Sequence, residues 1–468
     1  MKTFIFEISL SITGLIIFIL DIILKDKKNK PVILSILTAF FLFLSLIISS
    51  FLSSFSLKFG FSLDSFSYYL KILFISAGII GCIGSIPYLK ERIPDKSVEY
   101  LLLIIFSIIG MSFLVSSKNI LLFFISFELL SIPLYALTGF YKKDIRAPEA
   151  SLKFLLVGVF SSAILFCGLS FLYGAGGSGD FEVLKEKFKE TSPILYAGMI
   201  MFLVGIGFKI AAVPFHTWLP DVYEAAPSSY VAFLSVAPKA AGFAALIRFL
   251  FEVFPRENPL IPVIALLSAV TMILGNLVAL PQTNIKRLLA YSSIAHIGYI
   301  LIGIASFDET GISMVLFYLF TYLFSNMGAF LIVESQVNSL NDERIDALKG
   351  LAQRNPILSL SMLIFLLSLG GIPFVAGFWA KLFVFLAGVK TGYWFLVLLG
   401  GILTIVALYY YLMVARRMYI EEEFSKKIEV PLPLKISIGV CTIGVLFFGI
   451  LPRILVNFSN WAAKGILR

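Results

Sequence analysis

Four ionisable residues stand inside long apolar stretches of the sequence, where their side chains could carry protons. They are Glu128 in LLFFISFELLSIPLYAL, Lys209 in FLVGIGFKIAAVPF, Lys239 in VAFLSVAPKAAGFAAL and Lys381 in PFVAGFWAKLFVFL. Removal from water disfavours the charged form of a lysine, which can then load and release a proton near neutral pH. The residue types suggest a relay in which Glu128 and Lys209 form a switchable pair, Lys239 is the central station and Lys381 lies on the exit side.

A purely structural role for these charges is the alternative. Lys209 and Lys381 lie near the ends of their apolar stretches and could snorkel to the headgroups, and Glu128 could pair with a lysine only to hold helices together. Lys239 is hardest to explain in this way, because it lies deep in its stretch and directly follows Pro238. A charge at the centre of a membrane helix costs roughly 2.5 to 3.5 kcal/mol.

The composition indicates a bilayer as the solvent. Of 468 residues, 59% are hydrophobic and 14% are charged, against about 25% charged in an ordinary soluble domain. The mean hydropathy is +0.98, which excludes a soluble enzyme. The net charge of +9 is spread between apolar segments, whereas a nucleic-acid partner would require a basic patch on one folded surface.

Fourteen apolar runs are long enough to be membrane spans. The runs lie at about 4–24, 31–53, 67–89, 98–116, 119–140, 150–173, 193–213, 229–252, 260–281, 286–306, 311–334, 357–388, 393–415 and 432–452. Lysines and arginines number roughly 20 in one set of loops and about 12 in the other, which predicts the richer set to be internal. That set includes the loops at 25–30, 88–96, 141–146 and 416–427. Both termini are then expected to be external.

Further ionisable residues lie within or beside the spans. His216 in PFHTWLPD and His296 in YSSIAHIGY could make structural hydrogen bonds, belong to a proton path, or ligate a haem. Lys153 in EASLKFLLVG could snorkel or lie beside Glu128. Arg248 and Glu252 are four residues apart on a helix and are expected to pair locally.

No motif for a resident cofactor is found. Cys82, Cys167 and Cys441 lie in apolar runs and have no CxxC spacing. This pattern predicts that they are small buried side chains and not ligands of a metal or cluster. The segment GAGGSG at 174–179 matches GxGxxG, but it follows a membrane span and not a strand, which favours a flexible loop.

A weak internal similarity joins two of the spans. AAVPF at 211–215 and GGIPF at 370–374 share a pattern of small residues before Pro and Phe. Proline removes a backbone donor, so both sites predict broken helices, which in paired halves point to an ion site between structural repeats. Chance similarity is the alternative.

These segments resemble a known family, the antiporter-like membrane subunits of respiratory complex I, which are related to subunits of multi-component cation/proton antiporters. The resemblance runs from about residue 98 to 420. It is carried in order by FELLSIPLYALTGF, KIAAVPFHTWLPDVYEAAP, SVAPKAAGFAALIR, NIKRLLAYSSIAHIGYILIG and GGIPFVAGFWAKL. The chain has lysine at position 381, whereas the M-type branch has glutamate at the corresponding position. The L-type branch has a long lateral C-terminal helix, which we do not expect in this chain. The amino-acid sequence of these segments is most similar to the N-type branch.

The resemblance implies an all-α integral membrane protein of about fourteen transmembrane helices, with two inverted five-helix repeats and broken helices 7 and 12. The implied units are helices 1 to 3 at 1–97, the first repeat at 98–252, the second repeat at 260–420, and helix 14 with a tail at 421–468. The family's intramembrane glutamate falls on Glu128, its paired lysine on Lys209, its central lysine on Lys239, its distal ionisable residue on Lys381 and its tenth-span histidine on His296.

The resemblance also implies a function, that of a proton-translocating membrane subunit of an NADH-quinone oxidoreductase, in which quinone is reduced elsewhere in the complex. We expect no cofactor in this chain, with FMN and iron–sulfur clusters in other subunits. The expected partners are other membrane subunits of complex I, quinone through the complex, and the lipid bilayer, with no nucleic acid. The expected location is a bacterial-type inner membrane. The alternative is a subunit of a Na⁺ or K⁺/proton antiporter without redox coupling.

Overall fold

The computed structural model describes residues 4–24, 27, 29–50, 55–57, 60–188, 192–254, 258–420 and 427–467. Two short strands, β1 (Phe55–Leu57) and β2 (Phe61–Leu63), pair in an antiparallel hairpin. Most of the described chain is helical. The α-helices in chain order are α1 (Ile5–Ile23), α2 (Lys30–Ser50), α3 (Ser65–Gly84), α4 (Ile86–Arg92), α5 (Ser97–Ser116), α6 (Ile120–Thr138), α7 (Arg146–Gly176), α8 (Phe181–Lys187), α9 (Pro193–Ile210), α10 (Trp218–Ala225), α11 (Ser228–Leu234), α12 (Ala237–Glu252), α13 (Leu260–Ala279), α14 (Ile285–Ala305), α15 (Glu309–Leu340), α16 (Leu351–Arg354), α17 (Pro356–Gly370), α18 (Ala376–Lys390), α19 (Trp394–Tyr419), α20 (Leu432–Ile450) and α21 (Pro452–Leu467).

The prediction of an all-α integral membrane protein is confirmed. Thirteen helical segments of the described chain are long and apolar enough to cross a membrane, and α17 with α18 covers the remaining predicted span. The inverted relation between two five-helix units and the division of the chain into domains stay predictions. Within the predicted loops at 25–30 and 416–427, residues 25, 26, 28 and 421–426 lie outside the described residues.

The helical backbone is interrupted at both proline sites that the sequence singled out. Helix α9 ends where Ala211 adopts a left-handed conformation with φ of 60°, and α10 begins only at Trp218. That conformation costs a residue other than glycine roughly 1 to 2 kcal/mol. Helix α17 ends at Gly370, and Gly371 follows with φ of 82°, a conformation that has little steric cost for glycine. Helix α18 begins at Ala376. Backbone groups are left without helical partners at both sites.

A third interruption lies within the span predicted as continuous at 229–252. Helix α11 ends at Leu234, and α12 begins at Ala237. The physical reason is Pro238, whose ring clashes with the carbonyl of residue 234 and which has no N–H to donate. This break lies directly before Lys239.

The helical bundle has two ends, one expected on each side of the membrane, and each end is identified by its loops. We call one end the Arg146 face, where residues 88–96, 139–146 and 341–350 lie, and Arg146 Nη1 donates to Glu343 Oε2 at 3.2 Å. We call the opposite end the Lys118 face, where residue 61 pairs with residue 117 and residue 119 pairs with residue 180. The Arg146 face is the one that charge counting predicts to be internal.

The core lies around α11, α12, α14 and α15. The spans formed by α11 with α12 and by α15 are wholly buried, and that of α14 is nearly so. In contrast, α1, α2, α7, α13, α19 and α20 expose large apolar side chains along much of their length. An exposed apolar face is stable in lipid, so the outer helices shield a central group that has no contact with the bilayer.

The segment predicted as a C-terminal tail forms the amphipathic helix α21. It packs on α3 and α15, where Tyr69 Oη lies 3.1 Å from Ser459 Oγ and Ser65 Oγ donates to the carbonyl of Trp461 at 3.0 Å. The chain end is therefore fixed against the core near the Lys118 face.

Arg248 anchors a charge cluster near the Lys118 face. Its guanidinium is fully buried and donates to Glu252 Oε1 at 2.9 Å, as the sequence predicts, and also to Asp64 at 3.0 and 3.1 Å. Lys118 Nζ donates to the same Glu252 oxygen at 3.0 Å. Each charge in this cluster has an opposite charge beside it.

A second buried ion pair joins α1 to α3. Lys71 Nζ donates to Glu7 Oε1 at 2.7 Å, and both side chains are buried. The ammonium also lies 5.1 Å from the ring centroid of Phe6. The pair therefore fixes the first helix to the bundle.

We expect Glu7→Ala to destabilise the protein by about 3 to 5 kcal/mol, because it leaves the Lys71 ammonium buried without a counter-charge. The measurement is Tm in detergent. The double variant Glu7→Leu with Lys71→Leu should recover most of the loss. Lys390→Ala, which breaks an exposed pair with Asp308, should change Tm little. A Glu7→Ala protein as stable as wild type would contradict this assignment.

Candidate functional site

The three lysines predicted as relay residues are all buried in the structure. Lys209 and Lys239 are each 3% exposed, and Lys381 is 4% exposed. Each lies beside an interruption of its helix: at the end of α9, at the start of α12 and in α18 next to the end of α17. None of them forms an ion pair with a described residue. Three ammonium groups thus lie in the interior without a direct counter-charge.

Lys209 forms no ion pair with Glu128 among the described residues, and the switchable pair of these two residues stays a prediction. Its Nζ donates to Ser131 Oγ at 2.8 Å and lies 5.4 Å from the ring centroid of Phe127. Ser131 follows Glu128 by three residues on α6, so the hydroxyl lies on the same helix face as the carboxylate. Glu128 Oε1 is buried without a hydrogen-bond partner among the described residues. The structure shows this pair in a separated arrangement.

Lys239 is the central lysine in space as well as in sequence. Its Nζ donates a hydrogen bond to Ser293 Oγ on α14 and lies 5.3 Å from the ring centroid of Tyr223. Tyr322 Oη of α15 donates to the same serine oxygen at 2.8 Å. The small residue Gly242 on α12 lets the end of α9 pack closely, since a Cβ there would lie 2.7 Å from Ile210 Cγ2 and 3.4 Å from Lys209 Cγ. The stem of Lys209 therefore packs one helical turn from Lys239.

Lys381 binds the broken end of α17. Its Nζ donates to the carbonyl of Gly370 at 3.2 Å and lies 4.7 Å from the ring centroid of Tyr299. The last carbonyls of a helix have no helical partner and carry partial negative charge. The break at Gly371 thus supplies an acceptor for the ammonium in place of a carboxylate.

His296 lies between Lys239 and Lys381 and is held by tyrosine hydroxyls. Its Nδ1 is 2.6 Å from Tyr318 Oη, and its Nε2 is 3.4 Å from Tyr411 Oη. Tyr322, which bonds the serine beside Lys239, lies with its ring 5.0 Å from the imidazole. The imidazole therefore joins the surroundings of Lys239 to the tyrosines of α19.

Further hydroxyl and amide groups lead from His296 to Lys381. Tyr411 bonds Ser292 and lies against Tyr410, with ring centroids 4.5 Å apart. Tyr410 Oη donates to Asn276 Oδ1 at 3.2 Å, and Asn276 Nδ2 donates to Tyr299 Oη at 3.2 Å. Tyr299 in turn contacts Lys381. Polar side chains therefore follow one another from Lys239 through His296 to Lys381.

The other two predicted site residues lie away from this line. Lys153 is exposed and pairs with Glu149 at 2.9 Å and Asp221 at 3.2 Å, and forms no ion pair with Glu128 among the described residues. His216 is half-buried in the interruption between α9 and α10, and its Nδ1 has no hydrogen-bond partner among the described residues. Both ring nitrogens of His296 are within reach of tyrosine hydroxyls, which disfavours haem ligation by the two histidines.

The tyrosines were missed in the sequence, although a signal was present. Ser292, Ser293, His296 and Tyr299 lie in YSSIAHIGY at spacings of three and four, which place them on one helix face. Tyr318 and Tyr322 are likewise four residues apart in YLFTY. Apolar runs that contain periodic tyrosine and serine therefore merit the same attention as runs that contain a charge.

The chemistry available at this site is proton transfer. Ammonium, imidazole, hydroxyl and amide groups follow one another, and hydroxyl and imidazole groups can both donate and accept hydrogen bonds. No group of three or more His, Cys, Asp or Glu suited to a metal ion is found among the described residues. Charged residues that are retained inside a membrane bundle mark ion pathways.

Comparisons with known proteins show which family this chain is similar to. Residues 117–407 match the family described as NADH:quinone oxidoreductase/Mrp antiporter, transmembrane. NADH-quinone oxidoreductase subunit N 1 of Thermodesulfovibrio yellowstonii is 41% identical over 403 residues, which cover 84% of this chain and 85% of the relative. NADH-quinone oxidoreductase subunit N of Desulforamulus reducens is 38% identical over 466 residues, which cover 98% of each.

Solved structures show the same fold. A chain of respiratory complex I from Thermus thermophilus with bound aureothin matches with a TM-score of 0.81 at 30% identity and covers 97% of this chain and 98% of its own. A chain of the Mrp complex from Dietzia matches with a TM-score of 0.88 at 18% identity, which shows the fold alone. On the family match and these relatives together, the chain belongs to the NADH:quinone oxidoreductase/Mrp antiporter transmembrane family.

Proposed function

We propose that this chain is the proton-translocating membrane subunit N of an NADH-quinone oxidoreductase. Protons move along Glu128, Lys209, Lys239, His296 and Lys381, and the energy comes from quinone reduction elsewhere in the complex. The observation that carries the proposal is the line of buried protonatable groups from Lys239 to Lys381. The relatives named subunit N, at 38 to 41% identity, support the assignment to this complex.

Each relay lysine is ready to release its proton because no carboxylate among the described residues forms an ion pair with it. A buried ammonium without a counter-charge costs several kcal/mol relative to its neutral form, so each lysine readily gives up its proton to a neighbouring acceptor. When Glu128 approaches Lys209, the carboxylate stabilises the ammonium, and when they separate, as in this structure, Lys209 releases its proton toward Lys239. Repulsion between successive ammonium groups then passes the change along the chain.

This chain supplies the proton path, and other subunits supply the redox chemistry. FMN and iron–sulfur clusters belong to those subunits, and electrons reach quinone there. Neighbouring membrane subunits of complex I transmit the energy to Glu128 through electrostatic or conformational coupling. The complex lies in a bacterial-type inner membrane, with the Arg146 face internal and both termini external.

The second candidate is a subunit of a Na⁺ or K⁺/proton antiporter without redox coupling. It is favoured by the family description, which includes Mrp antiporters, and by the fold shared with the Dietzia chain. Purification separates the two: co-isolation with flavin and iron–sulfur subunits supports the first, and cation-driven proton flux in liposomes without them supports the second. Haem on His216 and His296 predicts a Soret band, and a colourless subunit removes that possibility.

Lys239→Ala is expected to abolish proton pumping by the assembled complex, because it removes the central station and no other ammonium in the described part of the chain contacts Ser293. Glu128→Ala should have the same effect. The measurement is NADH-driven acidification in liposomes that contain the purified complex, monitored with a pH-sensitive dye. Lys185→Ala, which changes an exposed lysine on α8, is the matched control. Retained pumping with both Glu128 and Lys239 replaced would refute the relay.

Tyr318→Phe is expected to slow proton pumping on the order of tenfold, because it removes the hydroxyl that bonds His296 Nδ1 while the ring still fills the core. Complex assembly and Tm should stay close to wild type. Tyr69→Phe provides the comparison, since it removes a buried hydroxyl from the α3–α21 contact, away from the relay. Equal pumping rates in the two variants would argue that the tyrosines only pack the core.

A further inference from the structure

We propose that Glu334 is a further proton-carrying residue, which takes protons from the Arg146 face and passes them toward Lys239. The proposal rests on the relay proposed above and adds to it a residue and an access route. Glu334 lies on α15, six residues before the end of that helix at Leu340, and is 3% exposed.

The carboxylate of Glu334 is bound only by neutral donors. Its Oε2 accepts from the backbone N–H of Ser229 at 3.0 Å, and its Oε1 accepts from Asn338 Nδ2 at 3.3 Å. It forms no ion pair within the described part of the chain. A buried charge of this kind is costly unless it is paired, so the carboxylate favours either the uptake of a proton or contact with water.

Glu334 borders a cavity that opens toward the Arg146 face. The inner cavity has a volume of about 110 Å³ and is lined by Glu334 together with Tyr88, Arg92, Ser228, Lys286 and Glu343. It is large enough for several water molecules, since one needs on the order of 15 Å³ of such space. A wider cavity of about 640 Å³ shares Arg92, Glu343 and other lining residues with it. Both cavities lie at the Arg146 face, so water can approach Glu334 from that side.

The other carboxylates that line the two cavities are held in ion pairs. Lys286 Nζ donates to Glu343 Oε1 at 2.9 Å and to the carbonyls of Glu224 and Ala226 at 2.9 and 3.0 Å. Burial would raise the pKa of Glu343, but the charges of Lys286 and Arg146 and their hydrogen bonds lower it. A hydrogen bond from Arg146 likewise lowers the pKa of Asp144. These carboxylates stay ionised at neutral pH, so the buried group suited to exchange a proton here is Glu334.

A line of polar groups continues inward where α15 faces α10 and α11. Four buried polar atoms there have no hydrogen-bond partner among the described residues: Ser228 Oγ, Ser229 Oγ, Tyr223 Oη and Asn326 Oδ1. Such atoms are the sites where internal water binds. They also mark the route inward, because Ser229 bonds Glu334 at one end, and at the other end the Tyr223 ring contacts Lys239.

The distance to be crossed fits a chain of water and hydroxyl groups. Glu334 and Tyr322 are twelve residues apart on α15, or about 18 Å along the helix axis. Asn326 lies between them and donates to Ser235 Oγ at 2.7 Å, at the break that precedes Lys239. No direct transfer spans this distance, so the proton passes from Glu334 through the intervening groups to Ser293 and Lys239.

Access to Glu334 can be tested without measuring pumping. Glu334→Cys is placed in a complex whose Cys82, Cys167 and Cys441 are replaced by alanine, and is treated with a membrane-impermeant cationic methanethiosulfonate. In vesicles of either orientation, we expect modification only when the Arg146 face is outermost. Ile332→Cys, buried on the same helix and absent from the cavity lining, should not react. No reaction at Glu334→Cys, or reaction only from the Lys118 face, would overturn the access route.

The proton-carrying role is tested by Glu334→Gln, which keeps the size and hydrogen-bonding capacity of the side chain but cannot bind a proton in the same way. We expect at least a tenfold slower proton pumping rate with normal complex assembly. Glu334→Asp should restore more than half of the rate, and Glu309→Gln at the exposed opposite end of α15 should leave the rate unchanged. Wild-type pumping by Glu334→Gln would overturn the assignment.

The two proposals fail in different ways. If Lys239→Ala pumps normally, the relay fails, whereas the thiol-labelling result at residue 334 is unaffected. If Lys239→Ala is inactive and Glu334→Gln is fully active, the relay stands and protons reach Lys239 by another route.

Discussion

The cost of placing a charge where no water can solvate it governs this protein. In a bilayer, even a single lysine near a helix centre costs several kcal/mol, and the chain holds Lys209, Lys239 and Lys381 in its interior. Ordinary ion pairs stabilise the charges that serve the architecture, such as Glu7 with Lys71 and Arg248 with Asp64. The three relay lysines instead have serine, carbonyl and aromatic neighbours. We propose that this difference separates charges that hold the bundle together from charges that change their protonation.

The interrupted helices make these environments possible. A continuous helix satisfies its own backbone groups and offers none to a side chain, whereas the ends at Ala211 and Gly371 and the break before Lys239 expose carbonyls and make space. Ala211 and the break before Lys239 are buried, whereas the connection that follows Gly371 exposes Phe374. Since α15 carries Glu334, Asn326, Tyr322 and Tyr318 along its length, one helix connects the Arg146 face with the surroundings of Lys239.

Several features of the site could be read from the sequence, and others could not. Lys239 was identifiable because it is deep in an apolar run and follows a proline. Glu334 was not, because LIVESQVNSLNDER reads as the end of a span and the start of a polar connection. Only the extension of α15 to Leu340 buries that carboxylate. The switchable pair of Glu128 and Lys209 stays a prediction; in the structure the two side chains are separated, and Ser131 accepts the hydrogen bond from Lys209. Lys153 faces outward, where Asp221 can neutralise it.

By itself, the sequence determined that the protein lies in a membrane, where its spans are, two of its helix breaks, and which charged residues lie inside apolar runs. These features depend on local composition and on the absence of a backbone donor at proline, which are properties of short segments. Only the tertiary structure decided which groups meet. Lys239 and Ser293, His296 and Tyr411, and Glu334 and Ser229 are separated by 54, 115 and 105 residues. The packing of α11 and α14 against α15 brings such groups together, and no local pattern in the sequence encodes their distance.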